Sequence, residues 1–186
     1  MTVRSLRPEE IEQVKKVFGD GLDVDKVRVN EGSDFPNFIG RVGAFFRGAK
    51  PPEHNAITVG NTCYFPVVLK TDDPRDANWL RDMGWLMHEL THAWQFQHDG
   101  LRYLIEAIFS PTYVYANPGE TPNASLKGFS KAGKKFRDFN REQQGDIVRD
   151  YFWSTQLDGP TADRSGWDEY LAEVRTPPLK ERPRSG

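Results

Sequence analysis

Cysteine is almost missing from this chain. The 186 residues hold one, Cys63, so an internal disulfide is excluded. Neither sign of charge dominates: 25 Lys and Arg stand against 27 Asp and Glu, a formal net charge of -2. A dedicated nucleic-acid binder would be basic, so no nucleic-acid partner is expected. No apolar run approaches the roughly 18 residues that a membrane span needs, and mean hydropathy is -0.68; no span is expected. The opening residues, MTVRSLRPEEIEQ, lack the apolar stretch of a secretory signal, so the chain is expected to be cytoplasmic as synthesised. Histidine is scarce, with four in all and none after His98. What is present suffices for a core: a chain of this length buries roughly 70% of its unfolded surface. One domain is expected over 1–175. Residues 176–186, with three prolines and several charges, read as a disordered tail.

Helical signals outnumber strand signals, and the chain reads as α+β, mainly helical. Pro8 to Phe18 starts with Pro and two acids and repeats Ile11, Val14 and Phe18 at helical spacing. Val24, Val27 and Val29 suggest a short strand. Residues 33–48, with Phe35, Phe38, Ile39, Val42, Phe45 and Phe46, fit a short helix or an irregular packed segment. Ala56 to Phe65 reads as an antiparallel hairpin, because Gly60-Asn61 separates two β-branched runs. Asp76 to His98 reads as one long helix stopped by Asp99-Gly100. Leu101 to Phe109 is apolar and helical in pattern, ended by Ser110-Pro111. Residues 116–133 are rich in Asn, Pro, Gly, Ser and Thr and read as a loop. That loop and its continuation carry six cations from Lys127 to Arg141, a solvated surface or a docking face for an acidic partner. Asn140 to Thr155 is a helix with a capping-box start at Asn140 and Gln143. Trp167 to Val174 is the last helical stretch.

Inside the long predicted helix stands His88-Glu89-Leu90-Thr91-His92, an HExxH motif. At 100° per residue the two histidines lie about 40° apart and one turn along the axis. Both imidazoles can then reach one Zn²⁺. Glu89 falls about 100° round from His88, beside the ion, where a carboxylate can take a proton from a water whose pKa the ion lowers. Leu80, Met83, Leu86, Met87, Leu90 and Trp94 on the other faces would bury this helix in a core. The competing reading is a pair of core histidines with no metal.

A zinc hydrolase needs a third protein ligand and an open fourth position. Three residues compete. His98 stands at the spacing of the metzincin HExxHxxGxxH motif, but Gln95 occupies the place of its glycine. On a continuous helix His98 would lie about 9 Å beyond His92 and point roughly 120° away. The methionine turn is also missing, since all three methionines precede His92. Cys63 would parallel the cysteine ligand of peptide deformylases, but its neighbours lack that family's glycines. Glu142 fits best: Glu142-Gln-Gln-Gly-Asp146 matches the ExxxD of gluzincins. Glu142 would bind the metal, and Asp146, about 40° round the same face, would hold the outer nitrogen of a ligating histidine. A solvated acidic pair at a helix start is the plain alternative. Thermolysin-like enzymes also place a histidine and a tyrosine at the oxyanion. Here a tyrosine or arginine would have to serve. Arg149, Tyr113, Tyr115, Tyr151 and Tyr170 are the candidates, none of them assignable from spacing.

His88-Glu-Leu-Thr-His-Ala-Trp-Gln95, then Glu142-Gln-Gln144 with Asp146 and Arg149-Asp-Tyr-Phe152, resembles the small metallopeptidase-like domain of the Vgr-related group. That domain extends some VgrG spike proteins of bacterial type VI secretion systems and also stands alone. The resemblance begins near Leu6-Arg-Pro-Glu-Glu10, continues through Val17-Phe-Gly-Asp20 and Val27-Arg-Val29, and ends near Phe152. It implies a zincin-like fold with two metal-bearing helices and a small sheet. It implies His88, His92 and Glu142 as ligands of one zinc, with Glu89 as general base. It also implies an antibacterial effector delivered to another cell, with a VgrG-type spike and an immunity protein as partners and a peptide or protein as substrate. In zincins an edge strand aligns the substrate, for which the hairpin is the candidate. The rival is a non-catalytic zinc-binding interaction domain. The missing downstream histidine favours it; Glu89, which a purely structural site does not need, opposes it.

Overall fold

The computed structural model describes residues 2–35, 56–102 and 114–178. The expectations for 36–48, for the helix beyond Arg102, for Tyr113 and for the tail from 179 onward lie outside these residues. Among the described residues, five helices stand with one four-stranded mixed sheet, so the fold is α+β. No described helix is long and apolar enough to cross a membrane.

The sheet order is β1 (Thr2–Arg4), β2 (Arg28–Glu31), β4 (Thr62–Phe65), β3 (Ile57–Val59). β3 and β4 form the expected antiparallel hairpin, with Val59 opposite Thr62 and Gly60 in the turn at φ 63°. A positive φ is what glycine supplies there at little steric cost. The sheet is larger than the hairpin, because β4 pairs with β2 in parallel and β2 with β1 antiparallel. Val24 is not in a strand; it starts a 3₁₀ turn, Val24–Lys26, before β2.

Helix α1 (Pro8–Phe18) follows its sequence bounds and buries Val14, Val17 and Phe18. Helix α2 (Trp79–Asp99) starts three residues later than expected. Asp76 forms a local turn instead, its side chain accepting from the Asn78 amide at 2.8 Å. Burial of Met83, Leu86, Met87, Leu90, Ala93 and Trp94 puts α2 in the centre of the core.

Residues 116–133 are not all loop. Pro122–Lys131 is a helix, α3, whose start is capped by the Thr121 hydroxyl. Proline at the first helical position needs no N–H, so Thr-Pro opened the helix that composition alone hid. Several cations of this region have partners. Lys127 pairs with Asp163, Lys135 with Glu169, and Lys134 lies 3.7 Å from the Phe139 ring centroid. Helix α4 (Arg141–Leu157) begins with the expected capping box, Asn140 accepting from Gln143 at 2.8 Å. Helix α5 (Asp168–Val174) follows.

Two glycines let α2 and α4 lie close. A Cβ on Gly84 would sit 2.2 Å from Nε1 of Trp153, and one on Gly145 would sit 2.7 Å from the His88 ring.

Candidate metal centre

The α2–α4 contact brings together residues 54 positions apart in sequence. His88 and His92 project from α2, and Glu142 projects from the first turn of α4. One donor atom from each lies within 4.8 Å of the others. Nε2 of His88 is 3.2 Å from Oε2 of Glu142, and Nε2 of His92 is 3.5 Å from Oε1. Two imidazoles and a carboxylate on one spot is a donor set suited to a divalent ion.

The outer nitrogens are held from behind. Nδ1 of His88 is 2.9 Å from Oδ1 of Asp146. That carboxylate oxygen also accepts from Arg149, whose guanidinium reaches Asp150 at 2.9 Å. Asp150 in turn accepts from the Tyr115 hydroxyl at 2.8 Å. Nδ1 of His92 is 2.9 Å from Oε1 of Gln95. An acceptor at each Nδ1 leaves each Nε2 directed at Glu142, the orientation a metal ligand needs.

Glu89 is 5% exposed and faces the hairpin, where the Thr58 hydroxyl donates to its Oε2 at 2.8 Å. Burial raises its pKa, and the neighbouring histidines and Thr58 oppose that only in part. Burial likewise favours neutral Glu142, but His88 and His92 outweigh it and hold that carboxyl well below the usual range. For His88 burial disfavours the charged ring, yet Asp146 and Glu142 push it up to about 10.

The rival ligands are elsewhere. His98 sets Nδ1 2.8 Å from the Trp94 carbonyl and Nε2 3.1 Å from that of Thr176, and stacks on the Trp94 ring at 4.2 Å. Cys63 is fully buried, which pushes its thiol up, and it is not among the clustered donors. Of the oxyanion candidates, Arg149 is committed to Asp146 and Asp150. Tyr151 accepts from Arg175 at 3.2 Å, and Tyr170 bonds the Leu126 carbonyl at 3.3 Å. Three contributors escaped the sequence reading: Gln95, Gln144 and Thr58. Gln95 had a signal, since it takes the place where a metzincin turns on glycine and it follows His92 by three residues, one helical turn.

No protein-family profile matches the chain. The type VI secretion system spike protein VgrG2b of Pseudomonas aeruginosa is 31% identical over 149 residues, covering 80% of this chain. The match spans 13% of that spike protein's length. Among solved structures, the effector domain of the same VgrG2b is similar at a TM-score of 0.55 and 26% identity. That likeness covers 89% of this chain and 82% of the domain.

Proposed function

We propose that this chain is a zinc-dependent peptidase. His88, His92 and Glu142 hold the ion, Glu89 is the general base, and Asp146 fixes His88 from behind. The observation that carries this reading is the convergence of three metal-type donors from two helices beside a buried, ionisable glutamate. Zinc in such a three-ligand site polarises a carbonyl and brings the pKa of a bound water toward roughly 7. Glu89 would accept a proton from the attacking water and return it to the leaving nitrogen. Its burial supports that role, because a raised pKa makes the carboxylate a stronger acceptor for the proton of the attacking water. Thr58 keeps the carboxylate on the hairpin side, where β3 forms the sheet edge. Similarity to the effector domain of VgrG2b supports a type VI secretion effector delivered to another cell with a VgrG-type spike; a peptide or protein substrate and an immunity protein complete the proposal.

Metal content by plasma mass spectrometry on wild type, Glu142→Ala and His98→Ala tests the site. One zinc per chain is expected, lost with Glu142 and kept without His98. Wild type that takes up no zinc sinks the reading. Glu89→Gln should keep its zinc and lose hydrolysis of a protein substrate by about 10²–10⁴-fold. Zinc without any hydrolysis in wild type, across a broad substrate screen, would leave a non-catalytic zinc-binding interaction domain.

A further inference from the structure

Gln95 is fully buried on α2, one turn beyond His92. Its amide makes three contacts. Oε1 faces Nδ1 of His92 at 2.9 Å. Nε2 donates to the Arg141 carbonyl at 3.0 Å and to Oε1 of Gln144 at 2.9 Å. Gln144 is also buried, and its own Nε2 donates to the Phe139 carbonyl at 2.8 Å.

This chain of amides has one direction. A carbonyl oxygen only accepts, so Phe139 fixes which end of Gln144 is nitrogen, and leaves its oxygen toward Gln95. That oxygen and the Arg141 carbonyl both require the nitrogen end of Gln95. Oε1 of Gln95 is thereby turned to His92, where it can only accept, so Nδ1 must carry the hydrogen. No flip of one amide is possible without breaking two buried hydrogen bonds at once, and an unsatisfied buried polar group costs about 1–3 kcal/mol. Arg141 is also the residue before Glu142, so the same amide ties down the first turn of α4.

We propose that Gln95 is a positioning residue of the metal centre: a directional amide relay from Phe139 through Gln144 and Gln95 presents Nε2 of His92 to the ion and clamps the helix start that carries Glu142. The inference rests on the reading of the cluster as a metal centre.

The test uses the 186-residue protein with zinc as the probe. Zinc affinity is read by chelator competition, and the His92 tautomer by long-range ¹⁵N–¹H NMR. Gln95→Met keeps the side-chain length and removes every polar contact. It should lower zinc affinity about 10–100-fold and abolish the single Nδ1–H form of His92. Gln95→Glu keeps an acceptor for Nδ1 but loses the donor to Arg141 and Gln144, so it should retain the Nδ1–H form and bind zinc more tightly than Gln95→Met yet more weakly than wild type. A Gln95→Met protein with wild-type affinity and tautomer overturns the relay while leaving the metal centre intact. Should Gln95→Met not fold, a folded Gln95→Glu that has lost the Nδ1–H form of His92 overturns it too. Wild type that binds no zinc removes both.

Discussion

Gly145 has no side chain, and the His88 ring uses the space. An added Cβ would stand 2.7 Å from Cε1, 2.8 Å from Nδ1 and 2.9 Å from Nε2 of that ring. No carbon contact is this short, so either the ring leaves Asp146 or the first half of α4 backs away. Gly145→Ala should therefore lower zinc affinity at least about tenfold, the range seen when an outer partner of a ligand is lost. Alanine's better helix propensity, about 0.8–1 kcal/mol, would otherwise make the change stabilising. Unchanged zinc binding in a chelator titration would show that the ring is not confined by α4. At this scale the motif letters were legible and their supports were not. HExxH and ExxxD are read within five residues each. Thr58 meets Glu89 across 31 positions and Gln95 meets Gln144 across 49, and nothing local marks either pair.

Two helices, α2 and α4, make the site, and their separation is set at a second glycine. Trp153 of α4 lies over Gly84, its Nε1 donating to the Leu80 carbonyl at 3.1 Å. Arg149 stacks on the same indole at 4.7 Å, so the ring has little room to retreat. Gly84→Ala should cost about 1–3 kcal/mol in urea unfolding, because overpacking exceeds the propensity gain. A stabilised variant would mean that the indole moves aside freely. Both helices were visible in the sequence, since apolar periodicity, Asn140 with Gln143 and Asp99-Gly100 are local signals. The hairpin was visible for the same reason, through Gly60-Asn61. α3 was hidden because Asn, Ser and Gly outweighed the Thr121-Pro122 start. β1 was hidden because three residues carry no period; it exists only by pairing with β2.

Across the whole molecule, the sheet must be fastened to the helical layer, and a buried charge cluster does this. Arg4 of β1 bonds Glu10 of α1 at 2.7 Å and Glu31 of β2 at 2.7 Å. Glu31 also accepts from the Leu69 amide at 3.2 Å, which ties in the segment leading to α2. Removing one partner of a buried network leaves uncompensated charge and costs about 3–5 kcal/mol. Arg7 stays within 3.5 Å of both carboxylates, so Arg4→Ala should fall near the low end, about 3 kcal/mol. The sign with pH follows from Glu31. Burial favours its neutral form, but Arg4 and Arg7 outweigh burial and hold its pKa below the usual 4.5. A depressed carboxyl stabilises the fold above its unfolded pKa and loses that contribution as pH falls through the folded value. The penalty of Arg4→Ala in urea unfolding should thus be full at pH 7 and shrink as pH falls through the depressed folded pKa of Glu31. A penalty that stays constant down to pH 3 would mean that Arg4 acts through packing of its aliphatic stem, and that the sheet is held to α1 by apolar contact alone.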